Sequence, residues 1–212
     1  MKGINFFWCL LLALVAICCG RDPSAFQISS PNNDLSVKVF ELDSRIAYQV
    51  VYKESIEIDT SFFAFEFEEK DPIRENLIIT NWTESSFSET WEMPWGEQRE
   101  VENTYNELNL EISETADPER MMIISFKVYD DGLGFRFEFP EQPDWKEATI
   151  TDELTEFQLT GDHTAWWVPG DWDIYEHLYN TTKVSAINAI AKRGHENLAA
   201  TTIPENAVNT PV

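Results

Sequence analysis

A strict alternation of apolar side chains is the feature that most limits the folds open to this chain. In its clearest instance Met122, Ile124, Phe126 and Val128 occupy every second position. Side chains with a period of two lie on one face of a β-strand, whereas a helix would need a period near 3.6. The sequence therefore predicts β-strands, and similar patterns occur at residues 35–39, 46–52, 63–67, 77–79, 108–112, 135–139 and, more loosely, 150–159.

Short polar segments join the predicted strands. The segments "ELDSR" (41–45) and "YDDGLG" (129–134) carry the turn residues that are typical of hairpins. A parallel sheet would need crossover helices, and no convincing amphipathic helix precedes residue 183. We therefore expect an all-β fold, an antiparallel β-sandwich of about nine or ten strands over residues 27–182.

The last part of the chain has a different character. Residues 183–212 are rich in alanine, are interrupted by Gly194, and end in a segment that contains Pro204 and Pro211. Glycine and proline at such positions interrupt helices and strands. We expect these residues to form an irregular, partly helical connector.

The charge balance limits the partners of the protein. The 212 residues include 15 basic and 38 acidic side chains, which gives a formal net charge of −23. This charge repels phosphate backbones and anionic lipid surfaces, so neither nucleic acid nor a bare membrane surface is an expected partner. A cation is a plausible partner, although a solvated acidic surface is the more ordinary explanation.

The N-terminus is organised as an export signal. Lys2 precedes an apolar run over residues 4–17, and Cys18 and Cys19 follow it. The run is too short to span a bilayer comfortably. The two cysteines resemble a bacterial lipobox, with Cys19 the favoured lipidation site and Cys18 the alternative, so residues 1–19 predict a lipoprotein-type or ordinary cleaved secretory signal. We expect an exported protein that meets the membrane only through a lipid anchor.

The segment "AWWVPGDWDIYEHLY" (165–179) concentrates acidic groups. Asp171, Asp173 and Glu176 are spaced so that they could converge on a hard cation such as Ca²⁺, which takes six to eight oxygen ligands. Solvated surface acids are the more ordinary interpretation in so acidic a chain. A carboxylate pair for glycoside hydrolysis is a further possibility, but no pair stands out among the 38 acids.

The same segment is also rich in aromatic rings, which can either stack on sugars or pack in a core. If the segment is extended, the adjacent Trp166 and Trp167 point to opposite faces, and at most one of them can meet a ligand. Core packing is the commoner role for such rings. The aromatic residues concerned are Trp166, Trp167, Trp172, Tyr175 and Tyr179.

The histidines do not predict a zinc site. His163, His177 and His195 do not have the spacing of a known zinc motif, and we expect surface or hydrogen-bonded side chains. Nucleophile elbows and phosphate-binding glycine loops are also absent from the sequence. The chain therefore offers no catalytic residue that can be assigned from its own motifs.

Six motifs in order resemble the N-terminal β-sandwich domain of glycoside hydrolase family 97, a family of α-glucosidases and α-galactosidases. The resemblance covers residues 27–212. It rests on "SPNNDLSVKV", "MPWGEQREVENTYNEL", "FKVYDDGLGFRFEFP", "TEFQL", "AWWVPGDWDIYEHLY" and "NTPV". It implies a super-sandwich of the galactose-mutarotase type, followed in the complete enzyme by a (β/α)₈ barrel that holds the catalytic carboxylates.

The resemblance also implies specific roles for residues of this chain. In the family a calcium ion in the active site takes one glutamate from the N-terminal domain, and the matching position is Glu176. Trp166, Trp167, Tyr175 and His177 would lie at the rim of the substrate site, which binds α-linked oligosaccharide in the complete enzyme. The expected location is the periplasm or outer membrane of a Bacteroidetes-like bacterium. A free-standing carbohydrate-binding sandwich and an acidic surface scaffold without ligand are the alternatives.

Overall fold

The computed structural model describes residues 25–117, 120–142, 145–172, 174–195, 197–198, 201–204 and 206–209. For Tyr175, and likewise for residues 197, 198, 201 and 202, the backbone is described but the side chain is not. The predicted signal segment with Cys18 and Cys19, and also Asp173, lie outside the described residues. No helix in the described part of the chain is long and apolar enough to cross a bilayer.

Strands make up nearly all of the regular structure, which confirms the all-β prediction. The described residues contain sixteen strands and two short 3-10 helices, more strands than the sequence indicated because several have only two to four residues. The strands are β1 (Ala25–Ser29), β2 (Leu35–Leu42), β3 (Arg45–Tyr52), β4 (Ser55–Phe62), β5 (Phe65–Phe67), β6 (Lys70–Ile73), β7 (Leu77–Glu92), β8 (Glu100–Glu114), β9 (Met121–Val128), β10 (Leu133–Glu138), β11 (Ile150–Glu153), β12 (Gln158–Leu159), β13 (Thr164–Trp167), β14 (Asn180–Lys183), β15 (Asn197–Leu198) and β16 (Thr201–Thr202). The helices are η1 (Ile174–Glu176) and η2 (Val184–Ala186).

The strands form antiparallel sheets. A five-stranded sheet has the order β1-β2-β3-β4-β12, and a four-stranded sheet has the order β10-β9-β8-β7. A smaller sheet, β11-β5-β6, extends the core, and β13 pairs with β14 near the C-terminus. Neighbours along the chain pair as hairpins, so the local alternation of the sequence is enough to specify most of the pairing.

Two tight turns set the register of the first hairpins. Asp43 and Ser44 connect β2 to β3 with positive φ values of 50° and 60°, and Lys53 and Glu54 connect β3 to β4 with 46° and 71°. Two consecutive left-handed residues form the type I′ turn, whose twist matches that of the flanking strands. The predicted turn in "ELDSR" is therefore confirmed.

The main core lies between the five- and four-stranded sheets. The predicted inward faces of β2, β3, β8 and β9 are buried there, together with the phenylalanines of β5, except that Tyr52 at the end of β3 is 40% exposed. At its centre Tyr48 stacks on Phe63 with 4.7 Å between ring centroids, and Tyr48 Oη donates a hydrogen bond to the Glu156 carbonyl oxygen at 2.7 Å. Burial raises the pKa of the Tyr48 phenol to about 12, while the hydrogen bond with Ser61 acts in the opposite direction.

A long hairpin projects beyond this core. β7 and β8 pair from Leu77 to Glu92, whereas β9 accompanies β8 only as far as Asn106. Only residues 93–99 form a loop at the tip of this hairpin, because β7 ends at Glu92 and β8 begins at Glu100. Gly96 in this loop has φ 125°, a conformation that other residues rarely adopt.

A second, smaller core forms near the C-terminus. Ala165, Trp167 and Ala189 are buried together, and Val208 packs against them. Residues on both sides of position 183 thus share one core, although the predicted boundary between sandwich and connector falls there. The described part of 183–212 has one turn of 3-10 helix and two short strands, in line with an irregular connector.

Candidate functional site

The two adjacent tryptophans of β13 face opposite ways, as predicted. Trp166 is 57% exposed, whereas Trp167 is 1% exposed. Trp167 belongs to the small core and donates its Nε1–H to Thr182 Oγ1 of β14 at 3.0 Å. Successive side chains of an extended strand alternate between faces, so only Trp166 is available to a ligand.

The backbone after β13 is held tightly. Gly170 N donates to Ala207 O at 2.8 Å, and Asn209 N donates to Val168 O at 3.1 Å. A Cβ added at Gly170 would lie 3.1 Å from Ala207 O, so a larger residue would push these two segments apart. The segment that follows, which carries the candidate acids, therefore begins from a fixed position.

The expectation that Asp171 is a solvated surface acid was wrong. A solvated surface acid was expected, but its side chain is only 1% exposed and accepts four hydrogen bonds. Oδ1 accepts from Trp172 N at 2.7 Å and from His195 Nδ1 at 2.8 Å. Oδ2 accepts from His177 Nε2 at 2.9 Å and from Gly194 N. We call these five residues the Asp171 hub.

The environment of Asp171 favours its charged form. Burial by itself would raise the pKa of a carboxyl group, because an apolar environment disfavours the charge. The hydrogen bonds from the Gly194 and Trp172 amides and from the two histidines act in the opposite direction and outweigh burial. The pKa of Asp171 therefore lies well below its usual range.

Glu176 directly precedes His177 in the sequence, and its environment differs from that of Asp171. It ends the 3-10 turn η1, is exposed, and makes no hydrogen bond or ion pair with another described residue. The turn is closed by His177 N, which donates to Ile174 O at 3.3 Å. Glu176 is thus a carboxylate available to an external group, at the end of a turn whose next side chain is anchored.

The structure limits the number of calcium ligands that this part of the chain can supply. No group of three or more metal-binding side chains occurs among the described residues. Calcium takes six to eight oxygen ligands, so Glu176 fits the role of one ligand and not that of a complete site. The Asp171 carboxylate does not compete for that role, because each of its oxygens already accepts two hydrogen bonds within the protein.

The other predicted site residues are divided between exposed and internal positions. His177 is partly exposed but bound to Asp171, and His195 also binds Asp171, so the expectation of hydrogen-bonded histidines holds for both. His163 contacts Thr160 Oγ1 at 3.1 Å. Trp172 and Tyr179 are 56% and 62% exposed. The ring of Tyr175 is not among the described side chains, so its place at a rim stays a prediction.

Sequence reasoning missed the hub because its parts are far apart in the chain. Gly194 and His195 lie 23 and 24 residues after Asp171. The one signal available was that the chain has three histidines in all, two of which turn out to share a carboxylate. No local spacing rule relates them.

The comparison with known proteins agrees with this architecture. The family model described as Glycosyl-hydrolase 97 N-terminal matches residues 28–212. A Glycoside Hydrolase Family 97 enzyme from Pseudoalteromonas sp. strain K8, solved in complex with acarbose and, as a variant, with panose, matches with a TM-score of 0.69 and 32% identity. The match covers 74% of this chain and 24% of that enzyme, so the chain spans about a quarter of its relative's length.

A second enzyme supports the fold alone. The crystal structure of a beta-arabinopyranosidase matches with a TM-score of 0.63 and 20% identity, and the match covers 73% of this chain and 26% of that one. The sheets, the core and the sequence match over residues 28–212 lead to one assignment. The chain belongs to the family of glycosyl-hydrolase 97 N-terminal domains.

Proposed function

We propose that this chain is the N-terminal domain of a calcium-dependent α-glycosidase, an α-glucosidase or α-galactosidase. It supports a catalytic barrel, supplies the calcium ligand Glu176, and forms part of the active-site rim with Trp166, Tyr175 and His177. Family membership supports the role of the domain. The complexes of the Pseudoalteromonas enzyme with panose and acarbose support an oligosaccharide substrate. The signal-like N-terminus supports export, with Cys19 or Cys18 as the lipid attachment site.

The observation that carries the proposal is the contrast between Glu176 and Asp171. One carboxylate is buried and fully hydrogen-bonded, and the other is exposed five residues later without a described partner. A bound calcium ion supplies a fixed double positive charge that can hold oxygen groups of the substrate and of both domains together. Within this chain Glu176 contributes one oxygen ligand, and the exposed ring of Trp166 offers an apolar surface to a sugar.

Calcium affinity of the full-length enzyme that contains this domain tests the ligand. We expect Glu176→Gln to weaken Ca²⁺ binding about 10-fold or more in isothermal titration calorimetry, because the neutral amide removes one charged ligand. Glu97→Gln, a change at an exposed glutamate in the tip loop of the long hairpin, is the matched control and should bind Ca²⁺ like the wild type. Equal affinity of the Glu176→Gln variant and the wild type would contradict the proposal.

A free-standing carbohydrate-binding sandwich is the second candidate, and the exposure of Trp166 favours it. If it is correct, the 212-residue chain itself binds maltooligosaccharides, and tryptophan fluorescence follows the binding. Trp166→Ala should then abolish the response, whereas Trp91→Ala, at a 47% exposed tryptophan of the long hairpin, should keep it. Trp167 is unsuitable for this comparison because its removal opens a cavity in the small core.

A further inference from the structure

Asp171 is an exceptional residue in this protein. It is the only charged residue among the described residues that are buried; the other buried polar groups are four serines and one glutamine. Burying a carboxylate is costly unless hydrogen bonds replace the lost water. A sequence with 38 acidic residues has no shortage of exposed carboxylates, so the burial of this one indicates a specific role.

The donors to Asp171 come from two separate segments. Trp172 and His177 lie on either side of the turn η1, and Gly194 and His195 lie in the segment after η2. To donate to the carboxylate, His177 must carry its proton on Nε2 and His195 on Nδ1. One side chain therefore joins the turn that bears Glu176 to Gly194 and His195, which lie 18 and 19 residues after Glu176.

We propose that Asp171 is a positioning residue for the calcium ligand Glu176, and that it acts through His177. This inference rests on the proposed function, because it assumes that Glu176 binds Ca²⁺. His177 directly follows Glu176, and its imidazole is fixed by Asp171 Oδ2 at 2.9 Å. The carboxylate does not touch the ion; it holds the backbone from which the ligand projects.

The physical advantage is preorganisation. A ligand on a mobile segment loses backbone freedom when it binds, and this loss of conformational entropy weakens binding. The hub and the Gly170–Ala207 hydrogen bond fix both ends of the segment around η1 before any ion arrives. Residues that orient a metal ligand in this way typically change metal affinity about 10- to 100-fold when they are mutated.

The donors Gly194 and His195 connect the segment after η2 to the anchor of His177. Gly194 N and His195 Nδ1 bind the same carboxylate, so the segment after η2 cannot shift without disturbing the anchor of His177. Asparagine at 171 would present an NH₂ group in place of one carboxylate oxygen. The backbone N–H that faces this group would lose its acceptor, whereas the facing histidine can change tautomer and accept from it. Asp171→Asn thus weakens the hub with almost no change in size.

Calcium titration of the full-length enzyme tests the inference with three variants. We expect Asp171→Asn and His177→Leu each to raise the Kd for Ca²⁺ about 10- to 100-fold. His177→Gln should bind Ca²⁺ within about 3-fold of the wild type, because the glutamine Nε2 can donate to Asp171 in place of the imidazole. This rescue separates positioning from a general loss of stability, and thermal unfolding of each variant, recorded in parallel, confirms that it is folded during the titration.

The outcomes distinguish this inference from the proposed function. If Glu176→Gln weakens Ca²⁺ binding while Asp171→Asn and His177→Leu bind normally, the positioning role is wrong and the ligand role stands. If Glu176→Gln also binds normally, both are wrong. If Asp171→Asn does not fold, the comparison of His177→Leu with His177→Gln decides, because His177 is 24% exposed and its removal leaves no charge buried alone.

Discussion

Phe63→Ala is expected to lower the free energy of unfolding by about 3–5 kcal/mol, the range found when a buried aromatic ring is removed from a core. Phe63 has no exposed surface and lies where several rings meet. Its centroid is 4.7 Å from that of Tyr48, 5.5 Å from that of Phe135 and 5.4 Å from that of Phe137. These neighbours belong to both main sheets, so the cavity left by the substitution lies between the two layers. Urea denaturation of the variant and the wild type measures the loss.

Phe87→Ala is the matched control for this prediction. Phe87 is 41% exposed on the projecting hairpin and stacks on Tyr105 with 5.2 Å between centroids. Its removal exposes little new surface, and we expect a loss of about 1 kcal/mol. A comparable loss in the two variants would contradict the conclusion that stability arises between the sheets and not along the hairpin.

Asp171→Asn is expected to lower the free energy of unfolding by about 2–4 kcal/mol near neutral pH. The NH₂ group leaves one backbone N–H without an acceptor, and an unsatisfied buried donor costs about 1–3 kcal/mol. The remaining hydrogen bonds lose their charged acceptor, and hydrogen bonds to a charged group are stronger than those between neutral groups. Asp131→Asn, at an exposed carboxyl in the β9–β10 turn, is the matched control and should change stability by less than about 0.5 kcal/mol.

The effect of Asp171→Asn should depend on pH in a defined direction. The pKa of Asp171 is lower in the folded protein than in the unfolded chain, so its charged form stabilises the fold. This contribution is complete above the unfolded pKa of about 4 and is lost as the pH falls through the folded pKa. The titratable groups that face Asp171 are His177 and His195. The gap in unfolding free energy between wild type and variant should therefore narrow steadily below about pH 4, and a gap that widens on acidification would contradict the assignment.

Local patterns predicted the sheets because strand faces follow directly from the sequence. The inward residues of β2, β3, β8 and β9 were identified from their period of two, and the opposite orientation of Trp166 and Trp167 followed from the same rule. The type I′ turn at Asp43 and Ser44 was likewise recognisable from its polar residues. In each case the information lies within a few consecutive residues, and backbone geometry converts it into structure without further partners.

The long hairpin shows what the period of two cannot predict. Alternation predicted strands at residues 77–79 and 108–112, but it revealed neither the length of the hairpin between them nor that β9 stops accompanying β8 at Asn106. Trp91 pairs with Val101, beyond the point where β9 ends, and is therefore 47% exposed. Whether an apolar face is covered depends on which other strand reaches it, and that is a property of the assembled sheets.

In the candidate site, too, some features followed from the sequence and others only from the tertiary structure. The sequence by itself determined an acidic, all-β chain and a segment dense in aromatic and acidic groups, and its resemblance to family 97 named Glu176 as the ligand candidate within that segment. Only the tertiary structure decided that Asp171 is a buried anchor while Glu176 is exposed, because the donors Gly194 and His195 approach from a remote part of the chain. The same carboxyl group is a solvated charge or a structural anchor according to the donors around it, and folding brings those donors together.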